Sequence, residues 1–131
     1  SVSAVFLVLR LIVGVAFLFH GWGKITNPFG WMPADAPVPG FLQFLAALSE
    51  FGGGLALIVG LLIPLAMLGL CFTMIVATFM HAVVMGDPFV AGSAGGGSYE
   101  LALVYVGISL LFLIAGPGKF SLDAKIFGER K

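Results

Sequence analysis

The chain has 131 residues, 60% of them hydrophobic and 9% charged, and its formal net charge is zero. A mean hydropathy of +1.16 excludes a soluble domain of this size, because small domains leave much of their surface in water. The balanced charge offers no handle for nucleic acid, and the one cysteine, Cys71, permits neither an intrachain disulfide nor a cysteine metal motif.

Four apolar runs, at about residues 3–23, 41–62, 65–85 and 98–115, are expected within a single domain spanning 1–131. Each has roughly the 20 residues that cross a ~30 Å hydrocarbon core. They are continuous, not alternating, so helices satisfy the backbone in lipid and strands do not. The expected class is all-α: an integral membrane four-helix bundle with both termini on one side. The N-terminus has no basic region or small-residue cleavage site, so the first run is read as a helix of the mature protein.

The first helix carries Arg10, Gly14, Phe17, Gly21 and Lys24 on one face by three- and four-residue spacing. That face is expected to look into the bundle. His20 sits off the stripe, either lining a site or lying at the interface. The following loop holds Pro28, Pro33, Pro37 and Pro39, which prevent a regular helix. Trp22, Phe29 and Trp31 suit an aromatic belt at the membrane surface.

The second helix is the one around which the others are expected to be arranged. It places Glu50 near its middle, and a lone carboxylate there costs ~3 kcal/mol on insertion scales unless it faces protein, water or ligand. Gly52, Ala56 and Gly60 recur every fourth residue, a small-residue stripe expected to let another helix approach. Counted from the outer ends of the two helices, Arg10 lies roughly 18 Å deep and Glu50 roughly 15 Å deep. Opposite charges at similar depth are most economically paired, so an Arg10–Glu50 contact is expected, as a structural clasp, a functional site or both.

Ile63 and Pro64 are expected to form the tight reversal into the third helix. There Met67, Cys71, Met74, Thr78, His81 and Met85 share one face. Methionine fills irregular seams, but an intramembrane histidine is a functional-site hypothesis by default. The glycine-rich loop after Met85 leads to Tyr99 and Glu100. Glu100 reads as a helix-entry carboxylate or as a partner for His81 or Lys24. The result is an expected two-layer polar core, with His81, Glu100, His20 and Lys24 near the outer mouth and Arg10 and Glu50 below. Such a core suits a polar headgroup with an apolar tail, and a quinone fits that description.

The tail after Ala115 carries Lys119, Lys125, Arg130 and Lys131, while the long loops carry Lys24 against Asp35 and Asp87. By the positive-inside rule both termini are cytoplasmic. The stretches LRLIVGVAFLFHGWGKI, ALSEFGGGLALIVGLL and YELALVYVGISLLFLIAGPGKFSLDA, together with His81, resemble the DoxX family over nearly the whole chain. The resemblance implies a small four-helix protein of a bacterial or archaeal cytoplasmic membrane. Some such proteins are named as the membrane subunit of a thiosulfate–quinone oxidoreductase, and others are associated with membrane redox assemblies.

The leading functional expectation is therefore a membrane subunit of a quinone-linked redox complex, not catalytic alone, with peripheral or membrane protein subunits and lipids as partners. A non-catalytic assembly subunit is the alternative. A haem or other tetrapyrrole held by His20 and His81 ranks below both, and no separate metal site is expected.

Overall fold

The computed structural model describes residues 1–129; Arg130 and Lys131, two of the four basic residues counted in the tail, lie outside them. The helices are α1 (Val2–Ile25), α2 (Gly40–Val59), α3 (Ile63–Phe79, continued by a π-helical turn at Met80–Val84), α4 (Glu100–Ala115) and a short α5 (Leu122–Phe127). No strand occurs among the described residues, only an isolated bridge between Gly92 and Gly95. α1, α2 and α3 with its π turn are each long and apolar enough to cross a bilayer, and α4 is an apolar helix of 16 residues.

α1 buries Arg10, Val13, Gly14, Phe17 and Gly21, the face that the three- and four-residue spacing marks. Glycines let it lie against α2. A Cβ on Gly21 would sit 2.7 Å from the Phe51 amide nitrogen, and one on Gly54 would sit 2.8 Å from the Gly14 carbonyl oxygen. α1 therefore meets α2 at Gly54; of the expected stripe of Gly52, Ala56 and Gly60, Gly60 is closely approached, by Ser121 and the Arg10 guanidinium. Beside Gly52 the nearest side chain is Leu48 of its own helix, and Gly52 and Ala56 line a groove instead.

The reversal into α3 falls at Gly60–Leu62, earlier than Ile63–Pro64. Gly60 takes the left-handed conformation that ends α2 (φ 71°), and Leu62 follows it there with φ 54°, a costly conformation for a residue with a side chain. Asp123 offsets that cost: its carboxylate accepts from the amides of Leu62 at 2.7 Å and Ile63 at 2.9 Å. Pro64 opens α3, where a missing N–H costs nothing. Proline fits a turn and a first helical turn equally well, so its identity alone does not separate the two places.

α5 lies beyond the four expected helices, in a stretch that the apolar runs do not mark. Ser121 starts it, its hydroxyl accepting from the Ala124 amide at 3.2 Å, as an N-cap serine does. The tail also returns to the start of the chain, with the Lys119 amide donating to the Ser3 hydroxyl.

The core is concentrated at one end. Val13, Phe17, Leu57, Ile63, Met67, Leu70, Met74 and Phe112 form one buried cluster. On α3 burial stops at Met74, and on α4 it begins only at Ser109. Beyond Met74 the soft face of α3 does not continue as expected. The π turn adds a residue to the repeat, and Met85 emerges 59% exposed. The bundle is thus tight near the Gly60 turn and open toward the π turn.

Candidate functional site

The ionisable residues expected to meet in one core occupy separate stations along the bundle. At the tight end Arg10 is 1% exposed. Its Nε donates to the Leu57 carbonyl at 2.9 Å, and its Nη1 donates to the carbonyls of Pro117 at 2.9 Å and Phe120 at 3.0 Å. Asp123 lies within electrostatic reach of it. Arg10 ties the last turn of α2 to the chain that follows α4, and its partners are backbone carbonyls instead of Glu50.

Glu50 is 3% exposed and pairs with Lys24 at 2.6 Å. The indole of Trp31 covers the same ammonium, 4.6 Å from its centroid. The expected Arg10–Glu50 contact does not form because the adjacent ends of α1 and α2 are not level. Gly21 packs at Phe51, so Glu50 stands beside the final turn of α1 and Arg10 stands beside Leu57. The start of α2 overshoots α1, and the intervening loop folds over it. Phe29 stacks on Phe44 at 4.9 Å. Gln43 spends its amide on that loop: Oε1 accepts from the Met32 amide and Nε2 donates to the Val38 carbonyl. Its own carbonyl accepts from the Trp31 indole. A solitary amide near the start of an apolar helix was the available signal for this role.

His81 lies in the π turn at the open end. Its Nδ1 is 2.8 Å from an Asp87 carboxylate oxygen, so Asp87 occupies the place expected for Glu100. Glu100 is exposed at the start of α4, where the helix dipole favours a carboxylate. His20 is exposed on α1, with Phe17 and Tyr105 as its ring neighbours at 6.0 and 6.1 Å. His20 packs near the Phe17 and Tyr105 rings, whereas His81 is paired with Asp87 in the π turn. Cys71 is buried and free.

Two of these stations share one groove of about 1280 Å³ between α2 and α3. Along its floor Gly53 meets Leu70, and Ser49 lies over Gly69. Its walls are mostly leucine, methionine, alanine and valine, and its ionisable lining groups are Lys24, Glu50 and His81. From Gly69, which faces Ser49 beside Glu50, α3 rises about 18 Å to His81 at ~1.5 Å per residue. The groove therefore offers a shielded ion pair at depth and a histidine at its mouth, joined by apolar surface. That arrangement can hold an elongated amphiphile and can polarise or hydrogen-bond its headgroup.

Helices of this length and hydropathy, with their charges turned inward, define a multi-pass helical membrane protein. The chain belongs to the DoxX family, whose model matches residues 5–82. It is 37% identical over 121 residues to the inner membrane protein YqjF of Escherichia coli K12, covering 89% of this chain and 88% of that protein. An uncharacterized protein of Haemophilus influenzae is 32% identical over 121 residues, covering 91% of this chain and 88% of its own length. No solved structure matches the chain at a significant level.

Proposed function

We propose that the protein is the membrane-embedded subunit of a quinone-linked redox assembly, one that anchors a partner subunit and seats a quinone or lipid-like ligand between α2 and α3. One observation carries the reading: the Lys24–Glu50 pair, with its carboxylate buried, lies in the wall of a large apolar groove. Lipid tails alone call for no charge there, and a charge inside the membrane is expensive unless it serves a pathway, a ligand or a fold. The family resemblance supports the redox setting. Lys119 and Lys125 after α4 support a cytoplasmic placing for both termini, and reporter fusions at the C-terminus test it, an outward reporter contradicting it.

Glu50→Gln keeps the shape and removes the charge. The proposal expects the variant still to co-purify with its partner subunits while electron transfer to quinone in membranes falls about tenfold or more. Unchanged electron transfer with a lost partner supports the second reading, a non-catalytic assembly subunit. That reading draws on the complete internal pairing of Arg10, Lys24 and Glu50, which suits charges retained to specify packing.

A further inference from the structure

The Lys24–Glu50 pair is already satisfied, whereas His81 has one ring nitrogen committed and one free for the groove. His81 is held by several features of the chain at once. It lies in the π turn, closed by the Met85 amide on the Met80 carbonyl, and π turns recur at functional sites. The Asp87 amide donates to the His81 carbonyl at 2.8 Å, while the Asp87 carboxylate takes the ring Nδ1–H. Gly97 supports the carboxylate from behind, since a side chain there would run into the Asp87 oxygens. The loop is closed by the Tyr99 amide on the Pro88 carbonyl and the Glu100 amide on the Phe89 carbonyl.

A hydrogen bond at one imidazole nitrogen fixes the role of the other. In the neutral imidazole, giving Nδ1–H to Asp87 makes Nε2 of His81 an acceptor at the mouth of the groove. The charges of the groove define what it accepts. Lys24 is neutralised by Glu50 and His81 is tied to Asp87, so no cation among the lining residues is left over for a phosphate. An acceptor above an apolar channel with no spare positive charge suits a neutral headgroup that bears a hydroxyl.

We infer that His81, oriented by Asp87, is the headgroup anchor of the groove, accepting a hydrogen bond at Nε2 from the ring hydroxyl of a quinol-type amphiphile whose tail runs down between α2 and α3. This deepens the proposed function and rests on it. It places the headgroup at the outer mouth, with the Lys24–Glu50 pair beside the tail.

The test uses the full chain in lipid nanodiscs, titrated with a decyl-tailed ubiquinol analogue and with its dimethyl ether, which has the same ring and tail without hydroxyls. Binding is read from tryptophan fluorescence, since Trp31 lines the groove. The expected result is that the quinol binds about tenfold tighter than the ether, one hydrogen bond's worth of affinity. His81→Ala should remove that preference. Asp87→Asn, which preserves volume, should reduce it, and the second variant keeps the result readable if the first folds poorly. If the intact chain binds neither compound, the groove reading itself falls. If the chain binds both equally, if His81→Ala retains the preference, or if phosphatidylglycerol displaces the quinol, the groove reading stands and the headgroup assignment is overturned.

Discussion

Replacing Arg10 by leucine is expected to destabilise the protein by ~3–5 kcal/mol, the range for stripping one partner from a buried charged network. The effect is large because a single guanidinium serves three carbonyls from two distant stretches, Leu57 on one side and Pro117 and Phe120 on the other. Leu57 and Pro117 become buried acceptors without a donor, at ~1–3 kcal/mol apiece before relaxation, Phe120 a partly buried one, and Asp123 loses the positive charge nearby. Leucine fills space and donates nothing. Lysine should rescue little, because its point charge cannot reproduce the planar fork that reaches several acceptors at once.

The damage should start in the tail. Without Arg10, Asp123 loses support for its bonds to Leu62 and Ile63, and the left-handed Leu62 loses its restraint. Limited trypsin digestion in detergent should cut after Lys119 and Lys125 about a hundredfold faster in Arg10→Leu, the rate ratio for ~3 kcal/mol of local opening. An unchanged digestion rate would show that the three carbonyls do not depend on Arg10.

The second large effect concerns the ion pair, and its expected signature is asymmetry. Lys24→Met should be worse than Glu50→Leu, although each removes one half of the same contact. Glu50 is 3% exposed while the Lys24 side chain is 28% exposed. Removing lysine leaves a carboxylate sealed among apolar groups, a loss of ~3–5 kcal/mol. Removing glutamate leaves an ammonium that still lies against Trp31 and can extend toward water, which should hold the loss to ~1–2 kcal/mol. The double variant should recover much of the loss, since an apolar pair can replace a buried ion pair at little cost in stability. Equilibrium unfolding of all four proteins gives the coupling directly, and additive losses would mean that the pair contributes no joint energy.

Much of this arrangement is written in the residue order. The apolar runs mark the helices, the buried face of α1 follows from three- and four-residue spacing, and Glu50 stands out because a charge in that position needs company. The identity of that company was not legible. Depth counted from helix ends assumes that neighbouring helices begin level, and the packing of Gly21 on Phe51 shifts α2 past α1. Lys24, expected at the outer mouth, thereby became the partner of Glu50, and Arg10 was left to backbone carbonyls that no side-chain pattern advertises.

Similar ambiguity explains the glycines. Gly52, Gly53 and Gly54 are consecutive and point to three sides of α2, so the helix they admit depends on its rotation. The matching glycines of α1, Gly14 and Gly21, were the clue that favoured Gly54. The π turn leaves no mark in hydropathy either, yet it ends the soft face of α3 before Met85 and sets His81 beside Asp87.

The most direct measurement is photo-crosslinking of native membranes with an azido-quinone, followed by mass spectrometry of the adducts and competition with unlabelled quinone. A ligand seat between α2 and α3 predicts competed adducts on the segments around Ser49–Ala56 and Gly69–Met80, which line the groove. Adducts confined to the outward faces of α1 and α4, or labelling that excess quinone leaves undiminished, would contradict it.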